Sequence, residues 1–85
     1  MIRQIEIDDA AALFGSFDAN VRLLEKSLGV KISGRDNIIR LNGGEDEVEK
    51  AEEVIGALMR ILAKGETLDE QKILYAIEMV QESGV

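Results

Sequence analysis

The chemistry open to this chain rests on cations, carboxylates and one glycine-bearing stretch, because histidine and cysteine are both absent. Without them zinc, haem, thiolate nucleophiles and the usual general base lack their customary side chains. Residues 13–20 read LFGSFDAN, which sets Gly15 between an apolar pair and what reads as a helix start. Glycine at such a junction permits either a tight turn or the close approach of another backbone, so a structural and a binding reading both stand. Beyond it lie Arg22 and Lys26, one helical turn apart, and then Lys31, Arg35 and Arg40. Five cations from one segment can form a phosphate-contacting patch. They can equally pair with Glu6, Glu25 and Asp36 and merely solvate the surface. The glutamates of residues 45–64 read as a solvated helical face, since their spacing names neither a metal site nor a catalytic pair.

Charge is unevenly placed. The net value of -7 argues at first against a polyanionic partner, which needs a locally positive surface. Residues 1–44, however, carry six positive and six negative side chains, whereas residues 45–85 carry four positive and eleven negative. The acidity belongs to the C-terminal half. At 85 residues, with 46% apolar and 32% charged residues, the chain is one small globular domain with a single modest core. No apolar run approaches a membrane span and the N-terminus lacks a signal peptide's apolar stretch, so a cytoplasmic location is expected.

These residues must be held by elements legible in the periodicity. IRQIEI alternates as a strand with Ile5 and Ile7 inward. DDAAALF offers acidic residues and alanines for a helix of one or two turns that Gly15 stops. From Ala19, Val21, Leu24 and Leu28 fall at helical spacing, with Leu23 widening the stripe and Gly29 ending it. VKISG and IIRLNG read as a hairpin turning at Arg35, Asp36 and Asn37, with Val30, Ile32, Ile39 and Leu41 inward and Lys31 and Arg40 on the other side. A long helix follows, opened by Glu45, Asp46 and Glu47 against its dipole. It is striped by Val48, Ala51, Val54, Ile55, Leu58, Ile61 and Leu62 and ends at Gly65. Gly56 within it costs about 1 kcal/mol relative to alanine, with no cause visible in the sequence. Thr67 to Glu70 reads as a capping box opening a last helix that buries Leu68, Ile73, Leu74, Ile77 and Val80, with Tyr75 and Met79 beside the stripe. That helix can cover the domain's own core or dock elsewhere. The result is a two-layer α+β domain whose helices cover one face of a three-stranded sheet.

This order and these residues resemble a KH domain of type I-like β-α-α-β-β-α topology, in which a G-x-x-G loop precedes a helix, a glycine and a strand. More narrowly, LFGSFDANVRLLEKSLGVKI, the turn RDN, GGEDEVEKAEEV and GETLDEQKILYAI resemble the N-terminal KH-like domain of PhoH-family proteins, where the module precedes a P-loop ATPase domain. On that resemblance residues 1–65 are the KH-like core and residues 66–85 an additional helix. It implies single-stranded RNA as partner, held along its backbone at Gly15, Ser16, Phe17 and Asp18 and flanked by Arg22, Lys26, Lys31, Arg35 and Arg40. An ATPase domain in a longer parent is the second implied partner, and a monomer or weak dimer is expected of this chain.

Two departures bear on the expectation. No G-x-x-x-x-G-K-[ST] occurs, so this chain is not expected to be an enzyme or to hold a cofactor or metal. Asp18 takes the closing glycine's place, where its carboxylate suits a helix N-cap and repels phosphate. Phe14 reads as core and Phe17 as the aromatic available for stacking on a base. The competing expectation is a KH-like scaffold that binds no nucleic acid and docks other proteins or domains through its acidic C-terminal helices.

Overall fold

Alternation along three short segments builds the sheet. The structure, a computed structural model, describes residues 1–7, 13 and 19–83. Strands β1 (Ile2–Glu6), β2 (Lys31–Arg35) and β3 (Ile38–Asn42) form one antiparallel sheet in the order β1-β3-β2. Ile5 pairs across from Ile39, and Ile32 across from Leu41. This register puts Ile32, Ile39 and Leu41 in the core and leaves the alternate residues exposed, as a period of two requires. The hairpin is tighter than expected: Arg35 stays in β2, and Asp36 and Asn37 alone make the turn. Asp36 has φ 58, a left-handed conformation that aspartate tolerates better than most residues.

The helices are α1 (Ala19–Leu28), α2 (Glu45–Ala63) and α3 (Glu70–Ser83). Val21, Leu24 and Leu28 of α1 and Val48, Ala51, Val54, Ile55 and Leu58 of α2 are buried in one cluster with the inward strand residues. Ile61 and Leu62, expected in the same stripe, are only half-buried in the last turn of α2. α3 joins the same core through Ile73, Ala76, Ile77 and Val80. Among the described residues the helices lie on one side of the sheet, which is the α+β arrangement expected. The short helix expected over residues 8–14 falls outside the described residues except for Leu13, which is helical and fully buried.

Helix ends show where local chemistry differs from the sequence reading. α3 is capped by Asp69 rather than by a Thr67 to Glu70 box: Asp69 Oδ1 accepts the Lys72 backbone N–H at 2.9 Å, three residues on, as an N-cap does. With the helix phased from Glu70, burial falls at 73, 76, 77 and 80, so Ala76 takes an inward position and Leu74 turns out to 43% exposure. Gly29 and Gly65 close α1 and α2 with φ of 69 and 86, the left-handed stop that glycine adopts without strain. α1 is also tied to the sheet's edge, because Glu25 Oε2 accepts the Ile32 N–H at 2.9 Å. That bond satisfies a donor that an edge strand would otherwise leave to solvent or to another chain.

Two outcomes follow. A methyl group added at Gly56 meets nothing within 4 Å, so Gly56→Ala should raise stability by about 1 kcal/mol, whereas Gly29→Ala should lower it by about 1 kcal/mol or more because φ there is positive; urea unfolding of both variants reads the opposite signs. Glu25→Ala should lower stability by about 1 kcal/mol and speed hydrogen exchange at the Ile32 amide while exchange in the middle of α2 changes only with global stability.

Candidate nucleic-acid interface

The cations singled out above stand on two elements. Arg22 and Lys26 lie four residues apart on α1 and are both exposed, as their helical phase opposite Val21, Leu24 and Leu28 requires. Glu25, next to Lys26 in sequence, is half-buried and turned to the Ile32 amide. It therefore spends its oxygen on the sheet edge. Among the described residues the ion pairs are Arg3 with Glu52 at 3.0 Å and Lys72 with Glu66 at 3.7 Å. Neither Arg22 nor Lys26 takes part in one.

Lys31, Arg35 and Arg40 sit elsewhere, on the face of the sheet that bears no helix. In β2 they alternate with inward Ile32 and Gly34, and in β3 Arg40 alternates with inward Ile39 and Leu41. The register arranges this outer face in three rows across β1, β3 and β2: Ile2, Asn42, Lys31; Gln4, Arg40, Ser33; Glu6, Ile38, Arg35. All nine residues are exposed. Asp36 follows in the hairpin turn. The pairing of Lys31, Arg35 and Arg40 with Glu6, Glu25 or Asp36, one of the two readings above, is not formed among the described residues.

The structure thus brings Arg22 together with Lys26, and Lys31, Arg35 and Arg40 together with one another, on opposite sides of β2. Residues 15–18, which hold Gly15, Ser16, Phe17 and Asp18, lie outside the described residues, as does Phe14. Among the described residues no group of three or more acidic side chains is arranged to hold a metal ion, and no helix is long and apolar enough to cross a membrane.

Two features were not legible in the chain. The Glu25 bond to β2 joins residues seven apart through the packing of helix on strand, for which no local signal exists. An open groove also runs where α2 meets α3, lined by Glu52, Glu53, Gly56, Ala57, Ala76 and Met79 among others. The unexplained Gly56 was its one trace in the sequence.

Comparison with known proteins gives a consistent answer. Over 76 residues, 89% of this chain, it is 32% identical to a PhoH-like protein of Bacillus subtilis. Over 77 residues, 91% of the chain, it is 34% identical to a PhoH-like protein of Mycobacterium bovis and 31% identical to one of Mycobacterium leprae. No family profile matches the chain, and no solved structure matches it. The chain spans 24% of the length of the Bacillus protein and 22% of each mycobacterial one. The resemblance read from LFGSFDANVRLLEKSLGVKI and the later segments is therefore a similarity to PhoH-like proteins along nearly the whole chain and over a domain-sized segment of each relative.

Proposed function

We propose that this chain is an accessory KH-like RNA-binding domain of a PhoH-like ATPase, acting in the cytoplasm to position the backbone of single-stranded RNA at the glycine-bearing segment of residues 15–18. Arg22 and Lys26 supply the cationic flank. One observation carries this reading: the two side chains stand exposed on the same side of α1 with no ion pair among the described residues, while Glu25 is held at the sheet edge by the Ile32 amide. A ridge of this kind attracts phosphate without first having to break a salt bridge. Nucleotide hydrolysis falls to the remainder of a longer parent, since this chain has no phosphate-cradling G-x-x-x-x-G-K-[ST] sequence.

A second reading has its own support. Tyr75 and Met79 are 64% and 50% exposed and lie four residues apart on α3, and Met79 lines the groove containing Gly56. Aromatic and methionine side chains at such positions are common in protein interfaces. On this reading the chain docks another domain or protein through α2 and α3 and holds no nucleic acid.

Titration of labelled single-stranded RNA at low and moderate salt separates the two. The first reading expects salt-sensitive binding that Arg22→Glu/Lys26→Glu abolishes or weakens at least tenfold, with Tyr75→Ser/Met79→Ser binding as the parent does. Absence of binding to any RNA pool at low salt would sink it and leave the docking role.

A further inference from the structure

The helix-free face of the sheet has no part in a site built on α1, because α1 packs on the sheet's other side through Val21, Leu24 and Leu28. Yet this face concentrates cations in a chain of net charge -7. Ser33 is paired across from Arg40, which makes Lys31 and Arg35 the two diagonal neighbours of Arg40, each about 7–8 Å away. Lys31 and Arg35 are themselves about 13 Å apart along β2. Three cations thus form a triangle over two strands, and none has an ion-pair partner among the described residues. By the same register Glu6, on the adjacent strand β1, is also a diagonal neighbour of Arg40 at about 7–8 Å, Asp36 follows Arg35 in the turn, and Glu25 reaches the edge of β2 at Ile32, so carboxylates border the triangle without forming an ion pair with it among the described residues. No acidic side chain lies among the outward residues of β2 and β3.

Between the cations stand neutral hydrogen-bonding side chains. Gln4 and Ser33 flank Arg40 on either side, and Asn42 lies beside Lys31. Arg35 and Arg40 line one open depression with Gln4, Ser33, Ile38 and Asp36, two cations against one carboxylate. Glu6 and Asp36 offset part of this charge, and the three cations leave the surface net positive. A single phosphate would meet one corner of the triangle. A chain of phosphates, each one nucleotide from the next, meets all three.

We propose that the outer face of the sheet is a phosphate-backbone-binding surface for single-stranded nucleic acid, separate from the α1 flank and independent of it. Arg40 with Arg35 contacts one stretch of backbone, Lys31 the next phosphate, and Ser33, Gln4 and Asn42 donate hydrogen bonds to phosphate or sugar oxygens. Contacts of this class position a strand and carry no sequence information. Three phosphates neutralised on a single strand correspond to roughly 20-fold weaker binding between 50 and 200 mM salt.

The test uses the intact chain and a fluorescein-labelled ten-nucleotide uridine RNA at 50 and 200 mM salt. In the Arg22→Glu/Lys26→Glu background, which removes the α1 contribution, the binding that remains should still weaken roughly 20-fold between the two salts, and adding the sheet pair Arg35→Gln/Arg40→Gln should weaken it at least a further tenfold at the lower salt and flatten its salt dependence to roughly threefold. Amide shifts on adding RNA should include Gln4, Ser33 and Arg40, and inorganic phosphate at equal phosphate concentration should leave them in place. If adding the sheet pair to Arg22→Glu/Lys26→Glu changes nothing, or the shifts are confined to residues 19–28, the sheet-face proposal falls and the α1 reading stands. Loss confined to the sheet pair does the reverse. No binding by the parent at 50 mM salt overturns both, and equal shifts with inorganic phosphate reduce the face to a simple anion site and overturn the polymer assignment. Circular dichroism of each variant confirms that the substituted exposed residues leave the fold intact.

Discussion

One core, apolar throughout, constrains everything else in this molecule. Among the described residues no polar or charged side chain is buried and none has an unsatisfied buried polar atom. A domain of 85 residues has little stability to spare, and burying a charge or an unpartnered polar group would consume much of it. All chemistry is thereby pushed to surfaces. The three helices close one side of the sheet, so two kinds of surface are left: the outward sides of the helices and the bare face of the strands. A strand's alternation then decides which residues reach that bare face, and among the described residues none of its cations is held in an ion pair.

Charged side chains at the margins illustrate the same constraint. Arg3 occupies an inward position on β1, across from Leu41, where a full burial would be costly. It escapes by reaching Glu52 on α2 at 3.0 Å, with both side chains still more than a third exposed. A pair so exposed contributes little to stability. Its effect is to let a cation share a row with apolar neighbours while its head stays in water, as long basic side chains do. Glu25 does the complementary thing at β2, giving a carboxylate oxygen to a backbone amide on the sheet edge.

How much of this could be read in the chain varies with the range of the interaction. Strand alternation, the stripes of α1 and α2, and the stops at Gly29 and Gly65 are local, and they stand where the periodicity put them. The last helix shows the limit. Thr67 and Asp69 both suit an N-cap, and Asp69 takes the position; Ile73, Ile77 and Val80 lie inward as the stripe requires, but Ala76 rather than Leu74 completes the face at the core. Hydropathy favours Leu74 inward; the packing of α3 against α1 and α2 overrides it. For the candidate site, the outward direction of Lys31 and Arg40 was legible from strand parity. The separation of Arg22 and Lys26 from the sheet cations was not, because it depends on which side of the sheet α1 packs.

The acidity of the chain bears on any polyanionic partner less than its total suggests. Most of the excess negative charge belongs to residues 45–85, and the exposed carboxylates of α2, such as Glu49 and Glu53, point away from the core. Between them and the outer face of the sheet lie the core itself and a helix, which alone is about 10 Å across. The screening length at physiological salt is about 8 Å. A phosphate approaching Arg40 is therefore governed by Lys31, Arg35 and Glu6, each about 7–8 Å from Arg40 across the strands, more than by carboxylates on the far layer. Lower salt lengthens the screening distance and lets the acidic helices be felt, so the strongest orientation of a polyanion, sheet face toward it and α2 and α3 away, arises where overall repulsion is also greatest. Fold and charge together make the domain two-sided: carboxylates crowd the exposed sides of α2 and α3, and the outward positions of β2 and β3 carry Lys31, Arg35 and Arg40.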